Sequence, residues 1–158
     1  MLMEKSVNTI FELHSAMEHN LFKAFFKRYE MPEGLKHRHI RAMIALYFNK
    51  KMIMSEVSSV LNIEKGSFTT VADKLIDMGY VVTERSTKDR RVYELSLTEK
   101  GTALTQDFLA AHRAYISQLF DQLEETRMAT FSEALEVVTS VLMDVGDEKF
   151  KTCCNSDE

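Results

Sequence analysis

A mainly α-helical chain with one small β-hairpin is what this sequence predicts, and three observations carry the prediction. Apolar residues recur at steps of three and four over most of the 158 residues, the period of helices with one dry face. Two short runs break that period: Tyr80 to Arg85 and Val92 to Leu97 are rich in β-branched and aromatic residues, and the second alternates, as paired strands do. Breakers are sparse, with five glycines and one proline, and Pro32 with Gly34 mark the clearest linker in the chain.

Ser6 to Tyr29 contains neither Gly nor Pro and reads as a helix. Ile10, Leu13, Met17, Leu21 and Ala24 form one stripe, while Phe11, Phe22, Phe26 and Tyr29 form a second beside it. So wide an apolar face exceeds the needs of one small core, so part of it is expected to meet a partner chain and the rest to line a cavity. The helix should end near Glu30, ahead of Pro32 and Gly34. Lys36 to Phe48 is the next helix, with Ile40, Met43, Ile44 and Tyr47 turned inward, and Met52-Ile53 follows as a short extended piece.

Met54 to Leu61 then makes a short amphipathic helix, Asn62-Ile63 a turn, and Glu64 to Met78 a second helix stopped by Gly79. In that second helix Phe68, Val71, Ala72, Leu75 and Met78 are spaced to be buried together, which leaves Lys65, Gly66, Ser67, Thr69, Thr70, Asp73, Lys74 and Asp77 wet. Hydroxyls that donate or accept, with a lysine beside them, suit base edges and phosphates, and a recognition helix reads bases with its N-terminal residues. Gly66 costs about 1 kcal/mol of helix propensity against alanine, tolerable where the helix must approach DNA closely.

The two strands flank a tip, Ser86 to Arg91, marked by charge and not by turn residues. From Arg85 to Arg91 four bases stand against one acid, a net of +3 in a chain whose total is −4. A cationic run by itself is commonly only a solvated face; directly after a helix-turn-helix pair, it favours nucleic acid.

Thr98 is a plausible N-cap for a long helix reaching about Gln122, with Leu104, Phe108, Ala111, Tyr115 and Leu119 as its stripe and Ile116, Phe120 and Leu123 widening it. A last helix, about Glu125 to Val145, carries Met128, Phe131, Leu135, Val138 and Leu142, and Gly146 stops it. These stripes are wider than a compact winged helix-turn-helix can cover. The division expected is therefore a DNA-binding winged helix-turn-helix over 35–98, a helical dimerisation arm from 1–34 and 99–146, and a flexible polar tail over 147–158. A symmetric dimer would present two recognition helices to half-sites roughly 34–36 Å apart.

The run Leu61 to Tyr80, then Asp89-Arg90-Arg91, then Leu95-Ser96-Leu97-Thr98-Glu99-Lys100-Gly101, resembles the winged helix-turn-helix of the MarR family of bacterial transcriptional regulators. Three separate pieces occur in the right order and spacing; Leu35 to Leu46 resembles the preceding helix, and the likeness extends over about 6–146. It implies that Asp89 holds Arg91 in the minor groove, with Arg90 between them free to reach a phosphate and Lys88 beside them on the charged tip. Minor-groove electrostatics and a carboxylate that fixes the guanidinium agree with that role, although Asp89 and Arg91 could equally staple the hairpin. Two positions depart from the family pattern: Glu64 stands where serine or another small cap is frequent, and Ile53 where threonine is usual. The likeness further implies a small organic effector between arm and reader, for which Phe22, Phe26, Met43, Tyr47, Phe108 and Tyr115 could supply an apolar pocket. The same residues could be ordinary core. Zinc-responsive members use His and Glu from these helices, so His14, Glu18, His37, His39 and His112 are the candidates for a metal-responsive alternative.

Charge divides along the chain: from Asp121 to Glu158 ten acids face three bases, a net of −7, leaving +3 for residues 1–120. No apolar run approaches the roughly 20 residues of a membrane span and the first residues lead to no signal core, so a cytoplasmic protein with no membrane partner is expected. Cys153 and Cys154 sit together in the polar tail and give no disulfide framework; a redox role for them is conceivable but incidental thiols are the simpler reading. There is no Gly-rich phosphate loop, no Ser-His-Asp spacing and no Cys/His zinc framework, which argues against an enzyme and against a cofactor. The expectation is a homodimeric, ligand-responsive repressor on a pseudo-palindromic operator of double-stranded DNA. Lys65, Ser67, Thr69, Thr70 and Lys74 would serve the major groove, and Lys88, Arg90 and Arg91 the wing. A winged-helix protein-interaction module, with weak and sequence-blind DNA binding, is the alternative from another class.

Overall fold

The computed structural model describes residues 2–86 and 91–145. Within them the chain runs α1 (Leu2–Met17), a π-helical segment (Glu18–Lys23), α2 (Ala24–Phe26), α3 (His37–Asn49), β1 (Lys51–Ile53) and α4 (Met54–Val60). It continues through α5 (Lys65–Asp77), β2 (Val81–Arg85), β3 (Tyr93–Leu97), α6 (Glu99–Phe120) and α7 (Glu125–Val145). Helices around a small antiparallel sheet are what the two periodicities predict, and they are what the chain forms.

The sheet has three strands and not two, in the order β1-β3-β2. The short piece Met52-Ile53 adds the third strand: Met52 lies opposite Leu95, which Thr83 faces from the other side. Both Met52 and Leu95 are buried, so the edge strand is held by the core beneath it as well as by its ladder. Three residues are too few to display an alternating pattern, which is why only the pairing partner reveals them as a strand.

One core joins α3, α4, α5, the sheet and the first half of α6. Ile40, Met43 and Leu46 meet Val57, Phe68, Val71, Leu75, Val81, Leu95 and Phe108, each at most 2% exposed. Each such side chain contributes about 1.5–3 kcal/mol by leaving water. Thr105, wholly buried in α6, is satisfied by donating its hydroxyl to the Gly101 carbonyl at 2.7 Å.

The N-terminal helix starts at Leu2, earlier than the sequence suggests, and does not keep one α-helical phase. Through the π-helical segment the amide of Ala24 donates to the carbonyl of His19, five residues back. The wider turn displaces everything beyond it relative to a 3.6-residue count. Phe25, in neither predicted stripe, therefore becomes the buried ring of the helix, while Ile10 and Phe11 stay 55% and 69% exposed. Phe25 packs edge-on to Phe108 at 5.3 Å and stacks on His112 at 4.6 Å. At the other end of the chain no residue of α7 is buried, and Val137, Val141 and Val145 are more than half exposed.

Candidate nucleic-acid interface

The two helices of the reader are set against each other by their shared turn. α4 lacks a side-chain cap at Ile53; instead the Glu56 carboxylate accepts the Ile53 amide at 2.9 Å, which satisfies one otherwise orphaned donor. After α4, Asn62 adopts φ 53°, its amide donating to Ser59 and that of Ile63 to Ser58. This paired bonding is the Schellman motif, with asparagine in the left-handed position that glycine usually holds. α5 ends in the same way: Gly79, at φ 73°, donates to Ile76 and Tyr80 to Leu75. Both ends of the α4–α5 pair are thus closed by backbone geometry.

In α5, Phe68, Val71, Ala72 and Leu75 are each 1% exposed, which turns Ser67, Thr69, Thr70, Asp73, Lys74 and Asp77 outward. Lys65 is the first residue of the helix. A Cβ placed on Gly66 would meet nothing within 4 Å, so no neighbour in this chain requires glycine there.

The wing keeps its strands paired to Arg85 opposite Tyr93, with the guanidinium 5.8 Å from the ring centre. The Ser86 amide closes onto the Val92 carbonyl at 2.9 Å and its hydroxyl donates to the Glu94 carboxylate at 2.7 Å. Glu84 and Glu94 face each other across the strands, an unfavourable like-charge pair. Lys51 from β1 ion-pairs with Glu84, and its ammonium is held above its ordinary pKa by that hydrogen bond first and by the same charge second. Arg91 lies exposed at the base of the tip. Lys88, Asp89 and Arg90 lie outside the described residues.

Of the side chains expected to form an effector pocket, four gather around Phe25. Phe26 lies 5.3 Å from Phe108, Tyr115 is 5.4 Å from Phe25, and Phe22, largely exposed, leans on His112 at 5.3 Å. Met43 is fully buried in the core beneath them, and Tyr47 stands apart, accepting a hydrogen bond from Gln106 at 3.3 Å. A cavity of about 490 Å³ lies elsewhere, lined by Leu13, Met17 and Leu21, by Ile116, Leu119 and Phe120, and by Phe131, Leu135 and Val138. It shares no residue with the expected six.

The candidate metal residues do not converge: among the described residues no three His, Cys, Asp or Glu side chains come together. Glu18 is paired with Lys23 at 3.0 Å, which lowers its carboxyl pKa mainly through the hydrogen bond from that ammonium. His39 is buried and takes the Lys36 amide on Nδ1 at 2.7 Å, and His112 Nε2 lies 2.9 Å from the Leu21 carbonyl.

Sequence reasoning did not anticipate the junction between α5 and α6. The Thr98 side chain accepts the Gly101 amide at 3.0 Å, as an N-cap does, and also donates to the Gly79 carbonyl at 2.8 Å. Lys100 donates to the Met78 carbonyl at 2.8 Å and lies 4.3 Å from the Tyr80 ring centre. The end of α5 is therefore bonded directly to the start of α6. The signal in the sequence was the glycine in the first turn of that helix, where glycine is costly.

Residues 33–92 match a model described as the MarR family. The HTH-type transcriptional regulator MhqR of Bacillus subtilis (strain 168) is 29% identical over 113 residues, 72% of this chain and 73% of that protein. The HTH-type transcriptional repressor MdtR of the same organism is 26% identical over 96 residues, 61% of this chain and 62% of that one. Among solved structures, Streptococcus pneumoniae FabT in complex with DNA superposes with a TM-score of 0.68 at 24% identity, covering 90% of this chain and 99% of that one. Helix-turn-helix, three-stranded wing and flanking long helices thus occur together in one chain whose sequence and fold both lead to the same place. Over residues 33–92 the chain is similar to the MarR family, and its fold is that of the winged helix-turn-helix structures of that family.

Proposed function

We propose that the protein is a sequence-specific DNA-binding repressor that works as a homodimer on a pseudo-palindromic operator and is released by a small-molecule effector. The observation that carries this reading is α5, which buries one stripe completely and turns Ser67, Thr69, Thr70 and Lys74 outward beside an unencumbered Gly66. Those side chains, with Lys65, serve the major groove; Arg91 enters the minor groove, held by Asp89, with Lys88 and Arg90 on the neighbouring phosphates. Such a regulator carries out no reaction itself and works on DNA in the cytoplasm.

Residues 1–34 and 99–146 form the dimerisation arm and 35–98 the reader. Support comes from α7, a helix of 21 residues with none buried, and from the apolar groove between α1, α6 and α7. An amphipathic helix gains most of its stability from packing its apolar face, so the matching helices of a second copy belong there. The effector acts where arm meets reader, at Phe22, Phe26, Phe108 and Tyr115. Beside the reader the Tyr115 hydroxyl donates to the Asn20 carbonyl at 2.8 Å, joining the two halves of the arm. A ligand that favours the lobe spacing unable to span both half-sites shifts the population away from DNA; equal affinity for both spacings would shift nothing.

The test is selection of random duplex DNA by the purified protein at near-physiological salt, with the bound pool sequenced. An enriched inverted repeat is expected. A folded protein that enriches no sequence would turn the assignment toward a protein-interaction module.

A further inference from the structure

α3 opens with Lys36-His37-Arg38-His39-Ile40-Arg41, three cations and two imidazoles without an acid among them. Lys36, Arg38 and Arg41 are exposed. A fourth cation arrives from the recognition helix: the Lys74 ammonium lies 3.4 Å from where a Cβ on Gly34 would stand, two residues before α3's cap. Buried His39 reports the same crowding, since its pKa is lowered by burial first and then by the charges of Arg38, Lys36 and Lys74. Among the described residues, the ion pairs within 4.0 Å are Lys23–Glu18 and Lys51–Glu84, so none of these four cations is neutralised by a described carboxylate. Like charges gathered from two elements and left unpaired repel one another, and a polyanion relieves that repulsion.

The patch is continuous with the reading face, because Lys74 follows Thr70 by four residues and Ser67 by seven along the same side of α5. We propose that Lys36 and Arg38, together with Lys74, form a phosphate-binding shoulder that grips the duplex backbone flanking the major-groove contact. Lys36 and Arg38 touch no base, so they add affinity and register without sequence preference. This inference rests on the DNA-reading assignment of α5, and it adds to the interface a helix that lies outside the helix-turn-helix pair and the wing.

The test compares wild type with the Lys36→Gln/Arg38→Gln variant on a random-sequence duplex of about 30 base pairs, by fluorescence anisotropy across a salt series. The fold tolerates the change, because both side chains are exposed and α3's cap uses the Lys36 amide, not its ammonium. A Lys5→Gln/Lys27→Gln variant, equal in charge loss at two exposed positions outside the reader, is the control for net charge. Each phosphate contact contributes about 0.9 to the slope of log affinity against log salt, so the shoulder variant should flatten the slope by roughly 1.8 per bound protomer, about 3.6 for the dimer, and the control by far less. An unchanged slope, or one the control reproduces, overturns the shoulder while leaving the recognition helix in place. A wild-type protein that binds no duplex even at low salt overturns the DNA-reading assignment and the shoulder with it.

Discussion

Gly101 stands against the carbonyl of Tyr80 so closely that a Cβ on it would lie 2.0 Å from that oxygen. The same oxygen accepts the Thr98 amide at 3.0 Å, so it is pinned and cannot swing aside. Gly101→Ala gains about 1 kcal/mol of helix propensity but must push the start of α6 off the strand that follows α5. Overpacking of this kind costs about 1–3 kcal/mol, and with backbone on the far side the upper part of that range applies. We expect a net fall in Tm of a few degrees, at about 2–4 °C per kcal/mol. A variant as stable as wild type in a thermal melt would show that the two elements part freely.

Gly66→Ala is the opposite case. With open space around it, a methyl group there should raise stability by about 1 kcal/mol while weakening DNA binding, since it stands where the helix approaches the duplex. Melting and anisotropy on one preparation separate the two effects. Undiminished binding would show that the duplex does not approach Gly66.

Arg91→Ala should reduce affinity for a selected operator by about 1–3 kcal/mol, roughly 5- to 150-fold, and relax preference at the position it reads. Unaltered operator affinity refutes the wing assignment.

Stability should depend on pH through His39. Its folded pKa lies below the free imidazole value of about 6.5, chiefly because it is buried. The unfolded chain therefore takes up the proton first, so the contribution is complete above that value and is lost as pH falls from it through the folded pKa. Protonation also removes the Nδ1 lone pair that accepts the Lys36 amide. Urea melts should show stability falling as pH drops below about 6.5, and less steeply in His39→Gln. Equal slopes in both proteins would contradict the assignment.

Leu135→Asp, on the groove-lining face of α7, should convert a dimer to a monomer in sedimentation experiments, because the carboxylate would be buried between the two copies. A dimer that persists locates the contact elsewhere.

Much of this architecture was legible because helical period and burial coincide: Phe68, Val71, Ala72 and Leu75 were marked by spacing and are buried together. What escaped depends on contacts between distant parts. Met52 becomes strand only by lying opposite Leu95, and Lys100 finds the Met78 carbonyl across 22 positions of sequence. The aromatic residues near α6 illustrate another limit. Spacing says that Phe108 and Met43 face inward, and both do, but it cannot say whether space remains between them; a cavity lies instead between α1, α6 and α7.

The π-helical segment bears on everything before it. Such a turn stores one residue beyond what an α-helix would hold, and the Tyr115 hydroxyl and His112 ring meet the Asn20 and Leu21 carbonyls just there. Were the surplus residue to migrate along the helix, the stretch it passed would rotate by about 100° and slide by about 1.5 Å. The angular setting of α1 is thus fixed by where that residue sits, and two side chains of α6 hold the helix at that point.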